Sequence, residues 1–137
     1  MKLINIGVAG CLGKMGQELV KKSIDDSRTN FVGGFENKKH KLISKNLSEI
    51  LNYDTNEIIS DNAEKVFTKA DVVIDFTTPE SSFTNIVLAK KTKTPLVIGT
   101  TGLNSEILQK IKDNSNHVAL LQSYNMSLGV NLLFNLV

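Results

Sequence analysis

Four glycines at a three-residue spacing, Gly7, Gly10, Gly13 and Gly16, break an apolar run that begins at Ile4 and give way to a helix-forming stretch. Where a strand ends in glycines and a helix starts at once, the first N–H groups of that helix lack intrahelical acceptors and can hold an anion. Glycine in such a turn allows a tight reversal, close approach of a pyrophosphate to the backbone, and close packing of helix on strand. The spacing is not the strict G-x-G-x-x-G, and glycine-rich strand-to-helix turns also occur in α/β proteins that hold no nucleotide. The second chemical group is Glu36, about 20 residues after the glycines, the separation at which a dinucleotide-binding βαβ unit places its ribose acid. Read without the glycines, it is a solvated acid after a strand.

Other reactive residue types do not form a constellation. His40 lies in a lysine-rich polar stretch and His117 near the start of a strand, and neither has a serine, cysteine or carboxylate at recognisable spacing. Both read as surface residues. Cys11 stands in the glycine turn, where a helix N-terminus could activate a thiol, but a small turn residue is the simpler reading. No Cys/His/carboxylate grouping has metal-ligand spacing, so no metal is expected.

The elements that must position the turn alternate strand and helix. A strand over Leu3–Ala9 leads into a helix over Gly13–Ser27 with Met15, Leu19, Val20 and Ile24 on one face. A strand over Phe31–Phe35 ends at Glu36. After a polar stretch come a short helix near Leu47–Leu51, a short strand at Glu57–Ser60, and a helix capped by Asp61 or Asn62 that runs to Lys69. Asp71–Phe76 is a continuous apolar run of the kind buried on both faces in parallel sheets. Thr78-Pro79-Glu80 opens a helix with a hydroxyl cap, an N1 proline and a first-turn acid, and Lys90-Lys91 closes it. Thr94–Gly99 forms a strand, Asn104 caps a helix carrying Ile107, Leu108 and Ile111, and His117–Leu121 forms another strand. A final helix begins at Ser127. The order predicts an α/β fold of Rossmann type, a doubly wound, mostly parallel sheet with its ligand crevice beyond the carboxyl ends of the strands.

Composition agrees. With 137 residues, 41% apolar, and a net charge of +2, the chain suits one soluble domain. Its lysines are scattered among acids, which argues against nucleic acid, and the single cysteine fits a reducing cytoplasm. The opening strand with no charged-then-apolar stretch before it predicts no leader, and no apolar run reaches the ~20 residues that would span a bilayer, so no membrane is expected. The apolar ending, Leu132-Leu133-Phe134-Asn135-Leu136-Val137, carries no helix stop and reads as a chain cut where it enters a second domain. The expected division is therefore a dinucleotide-binding domain over 1–126 and the start of a connecting helix over 127–137.

Loops at the strand carboxyl ends gather Gly10–Met15, Glu36, Phe76–Thr78, Gly99–Thr101 and Ser123–Met126 along one edge. Taken singly, Thr78 is a cap, Thr100 and Thr101 shape a loop, and Tyr124 and Met126 are core residues; together they outline a crevice.

Four segments in order, Gly10-Cys11-Leu12-Gly13-Lys14-Met15-Gly16, Val73-Ile74-Asp75-Phe76-Thr77-Thr78-Pro79, Val97-Ile98-Gly99-Thr100-Thr101-Gly102 and Asn125-Met126-Ser127-Leu128-Gly129-Val130-Asn131, resemble the N-terminal nucleotide-binding domain of dihydrodipicolinate reductase. That family reduces 4-hydroxy-tetrahydrodipicolinate to tetrahydrodipicolinate with NAD(P)H in lysine and diaminopimelate biosynthesis. The resemblance implies that Gly10, Cys11, Leu12, Gly13, Lys14 and Met15 wrap the pyrophosphate and Glu36 binds the adenosine ribose. It places Phe76, Thr77, Gly99, Thr100 and Thr101 beside the nicotinamide and its ribose, with Ser123, Tyr124, Asn125 and Met126 closing over it at a hinge.

Two departures matter. Where the family often carries an arginine for a 2′-phosphate, this chain has Asn37, which favours NADH, while Lys38 and Lys39 leave NADPH open. The family's His-His-x-x-Lys-x-Asp-x-Pro-Ser-Gly-Thr segment, with its substrate-binding and proton-donating residues, is absent. The resemblance thus implies a cofactor half with no catalytic residue of its own, its small-molecule substrate and homotetramer contacts belonging to a C-terminal substrate domain absent from this chain. The alternative from another class is a stand-alone NAD(P)-binding or sensing module without catalysis.

Overall fold

The computed structural model of the chain describes residues 2–125, so Met126 and the helix expected from Ser127 lie outside the described residues. The elements are β1 (Ile4–Ala9), α1 (Lys14–Asp25), β2 (Thr29–Phe35), α2 (Leu47–Leu51), β3 (Ile59–Ser60), α3 (Ala63–Lys69), β4 (Val72–Asp75), α4 (Pro79–Thr92), β5 (Leu96–Ile98), α5 (Ser105–Asn114) and β6 (Leu120–Gln122). They form one sheet in the order β3-β2-β1-β4-β5-β6, and every neighbouring pair is parallel. This is the Rossmann order, with its reversal between β1 and β4.

Helices cover both faces. Val8, Cys11, Val20, Leu47 and Ile59 pack beneath α1 and α2, whereas Phe67, Val73, Ile86, Leu96 and Ile98 pack beneath α3, α4 and α5. Burial on both sides explains the unbroken apolar run in β4. One irregularity serves both cores. Ile6 pairs with Phe31 but Gly7 pairs with Gly33, so the register slips by one residue. Side chains alternate faces along a strand, and the slip inverts that alternation. Phe31 consequently enters the α1 core and Phe35, four residues on, enters the other, where its ring meets Phe67 at 6.0 Å between centroids.

Local capping follows the sequence closely. Asn62, Thr78 and Asn104 each accept a first-turn N–H of α3, α4 and α5, from Lys65, Ser81 and Ile107. Elsewhere the structure corrects the expectation. Met15 is 49% exposed; the inward residues of α1 are Gly16, Val20 and Ser23, with Leu19 and Ile24 half-buried beside them. Gly16 sets this rotation, because it presses against the glycine turn and leaves its neighbour outside. α1 ends at Asp25 rather than Ser27, since Asp26 is extended and binds the Arg28 guanidinium at 2.7 Å. The last strand starts at Leu120, not His117: the N–H groups of His117 and Val118 both return to the Asn114 carbonyl, closing α5 with a turn. Phe76 falls just past β4, in the loop.

Candidate functional site

The crevice opens where β1 and β4 diverge into their loops. Gly10 has φ +67°, a left-handed backbone that favours glycine, and a Cβ there would stand 2.7 Å from Thr77 Cγ2. At Gly16 a Cβ would stand 1.9 Å from the Gly10 carbonyl oxygen. The turn and the first helical turn are therefore in backbone contact, with room for no side chain between them.

Hydrogen bonding divides the amides of this turn into two sets. Gly10 and Cys11 donate to the Phe35 carbonyl at 2.9 and 3.4 Å, Gly13 donates to Gly10, and Leu12 donates to Glu36 Oε1 at 2.8 Å. These bonds hold the turn to the end of β2. The amides of Lys14, Met15 and Gly16 have no acceptor among the described residues, because the N-cap is Gly13, which has no side chain to offer. Three free N–H groups at the positive end of a helix of this length make a seat for a diphosphate. The residues present fit that group.

A groove of about 740 Å³ runs from this turn, lined by Gly10, Gly13, Glu36, Phe76 and Thr77 among the expected residues. Asn37, Lys38 and Lys39 also line it, so the Glu36 carboxylate shares the groove with two lysines. Glu36 is half-buried and keeps Oε2 without a protein partner among the described residues. Cys11 is fully buried with its sulfur against Gly34. Burial, and secondarily the Glu36 carboxylate, pushes its thiol up to about 12, so it is a core side chain rather than a nucleophile. Lys14 and Met15 are exposed, and only their amides belong to the turn.

The second half of the site is built by β4 and β5. Phe76 lies over Gly99, where a Cβ would meet its ring at 2.2 Å. Thr77 donates its N–H to Thr100 Oγ1 at 2.9 Å, and Thr100 is buried while Thr101 is exposed. Ser123 donates to the Ile98 carbonyl at 3.1 Å and so leaves the sheet at the same rim. Ser123, Tyr124 and Asn125 do not line the groove, and Tyr124 is 59% exposed rather than core. Met126 lies outside the described residues.

Sequence reading passed over Asp75. It is completely buried, and it accepts from Thr77 Oγ1 at 2.5 Å, Asn85 Nδ2 at 3.1 Å and Thr100 Oγ1 at 3.3 Å. Ser82 Oγ adds a 2.8 Å bond to Thr100. A carboxylate ending an apolar strand was the available signal. Neither histidine enters the site: His117 is exposed, and His40 Nδ1 accepts the Leu42 N–H at 3.2 Å within its own loop. Among the described residues no group of His, Cys, Asp or Glu could hold a metal ion, and no helix is long and apolar enough to cross a membrane.

Comparison with known proteins agrees with this geometry. Residues 4–126 match the family described as dihydrodipicolinate reductase, N-terminus. The chain is similar to the 4-hydroxy-tetrahydrodipicolinate reductase of Pelagibacter ubique, 41% identical over 136 residues that cover 99% of this chain and 49% of that protein. It is 39% identical to the same enzyme of a Wolbachia strain, over 98% of this chain and 50% of the relative. The dipicolinate-bound dihydrodipicolinate reductase from Paenisporosarcina sp. TG-14 superposes with a TM-score of 0.79 at 28% identity, covering 98% of this chain and 52% of that one. The chain spans about half the length of the curated relatives it matches.

Proposed function

We propose a function that proceeds from one fact: the chain belongs to the dihydrodipicolinate reductase family, as its N-terminal domain. Its role is to hold NADH or NADPH for the reduction of 4-hydroxy-tetrahydrodipicolinate to tetrahydrodipicolinate. The observation that carries this reading is the set of acceptor-free amides at Lys14, Met15 and Gly16, opening on a groove that ends at Glu36. Residues 1–126 form the coenzyme domain, and 127–137 begin the passage to the part that binds substrate.

When bound, a reduced nicotinamide supplies hydride. The chain's own residues bind and orient. The three amides hold the diphosphate, Gly10 and Gly13 let it approach, and Glu36 Oε2 accepts from the adenosine ribose. Phe76, Thr77, Gly99, Thr100 and Thr101 shape the nicotinamide end, with Ser123 to Met126 bordering it. No side chain of this chain transfers the proton; substrate binding, proton donation and homotetramer contacts belong to the rest of the protein, which works in the cytoplasm. NADH is preferred, because the Glu36 carboxylate repels a 2′-phosphate and Asn37 is neutral, while Lys38 and Lys39 keep NADPH usable.

Calorimetric titration of the purified chain tests this. The expected result is binding of both coenzymes, NADH more tightly, with no steady-state reduction of substrate. A folded chain that takes up neither coenzyme overturns the reading.

A further inference from the structure

Asp75 is the unusual side chain of this fold: a carboxyl group with no exposure and, among the described residues, no cation paired with it. Its position is satisfied entirely by neutral donors from three places. Thr77 comes from the β4–α4 loop, Asn85 from α4, and Thr100 from the β5–α5 loop. Thr100 is shared further, accepting the Thr77 N–H and the Ser82 hydroxyl while it donates to Asp75. Each loop is thus tied to the other through one oxygen atom, Oδ1. The Asp75 carbonyl accepts the Gly99 N–H at 2.8 Å, which fixes the second loop at its root as well. Burying a carboxyl group in this way is costly unless every donor is in place, so the arrangement is all-or-none.

We infer that Asp75 is a positioning residue that sets the spacing of the Phe76–Thr77 and Gly99–Thr100 loops, and thereby the nicotinamide end of the site, without touching the coenzyme. This rests on the coenzyme reading above. It assigns the two halves of the groove to separate supports: the adenosine half to the glycine turn and Glu36, the nicotinamide half to Asp75. Removing the carboxyl group leaves Asn85 Nδ2 buried without an acceptor, leaves the Thr77 and Thr100 hydroxyls only their long contacts to the Thr78 and Asp75 carbonyls at 3.4 and 3.5 Å, and frees the loops to shift. A conservative amide keeps Oδ1 as an acceptor for Thr77 and Thr100, and Asn85 can turn its own carbonyl toward the new N–H donor.

The experiment compares NADH with ADP-ribose, which lacks the nicotinamide, on the wild-type chain, Asp75→Ala and Asp75→Asn, with folding checked by circular dichroism. Asp75→Ala is expected to weaken NADH about tenfold, the scale of one lost buried bond network, and ADP-ribose by less than about twofold. Asp75→Asn is expected to restore NADH to within about threefold of wild type. Equal NADH affinity in wild type and Asp75→Ala, or equal loss of both ligands by a folded Asp75→Ala chain, overturns the inference and leaves the coenzyme reading standing. A wild type that binds neither ligand overturns both. Should Asp75→Ala not fold, Ser82→Ala decides. This buried hydroxyl faces no ligand, and its loss should weaken NADH about threefold and leave ADP-ribose unchanged; an unchanged NADH affinity counts against the inference.

Discussion

The Leu12 amide donates to Glu36 Oε1 at 2.8 Å, across 24 residues of sequence. The acid just past β2 therefore braces the glycine turn with one oxygen and offers the other to the groove. Its two duties can be separated by substitution.

Glu36→Gln retains an acceptor for Leu12 but loses the charge. It should melt within ~1 kcal/mol of wild type while the NADH preference over NADPH narrows. Glu36→Ala loses both duties and should also lower stability by about 1 kcal/mol. Thermal melts and paired titrations measure these. A coenzyme preference that neither substitution alters removes Glu36 from the ribose.

Gly16→Ala places a methyl group 1.9 Å from the Gly10 carbonyl oxygen, against backbone that cannot yield. A loss of about 3 kcal/mol or more in urea unfolding is expected, with coenzyme affinity lost alongside. Gly13→Ala meets the same oxygen at 3.3 Å and should cost under about 1 kcal/mol. Similar stabilities for the two variants would contradict the close approach of helix and turn.

Gly99→Ala drives a Cβ into the Phe76 ring at 2.2 Å. The ring must move, so stability should fall by about 1–3 kcal/mol. Phe76→Leu in the same chain should recover part of it, because contacting residues couple in a double-mutant cycle. Additive losses would mean that the two residues do not touch.

The Cys11 thiol ionises near 9.0 in the unfolded chain and at about 12 when folded. Below pH 9 both states carry the proton and its contribution to stability is fully present. Above that the unfolded chain ionises first, so stability falls as pH rises toward 12. Cys11→Ala should remove this part of the alkaline slope in denaturation curves measured from pH 8 upward. At neutral pH a thiol reagent should label the native chain only slowly, through unfolding.

How much of this was legible in the sequence depends on the range of the interactions. The caps act within one turn, so residue type located Thr78 and Asn104 and narrowed the third to Asp61 or Asn62, of which Asn62 serves. The glycine spacing and Glu36 carried the nucleotide reading because their geometry belongs to one βαβ unit. Met15 was misplaced because its helical period is right in isolation; the contact of Gly16 with Gly10 decides which way α1 faces. Asp75 stayed hidden because its partners at 77, 85 and 100 meet only after α4 crosses from β4 to β5. The start of β6 shifted because Asn114 captures two following amides, a tertiary choice that strand propensity does not register.

The one-residue slip opposite Gly7 has a consequence for recognition. A strand delivers its residues to alternate sides with a period of two, so an extra residue upstream acts as a half-period phase shift for everything after it. Phe35 is turned toward the α3 side, and the next residue accordingly emerges on the side of α1, where Leu12 waits. An evenly paired β2 would present the same acid to the opposite side of the sheet. In the proposed reading, the side on which Glu36 would meet the adenosine is thus set by an irregularity in hydrogen-bond pairing at Val32, four residues earlier.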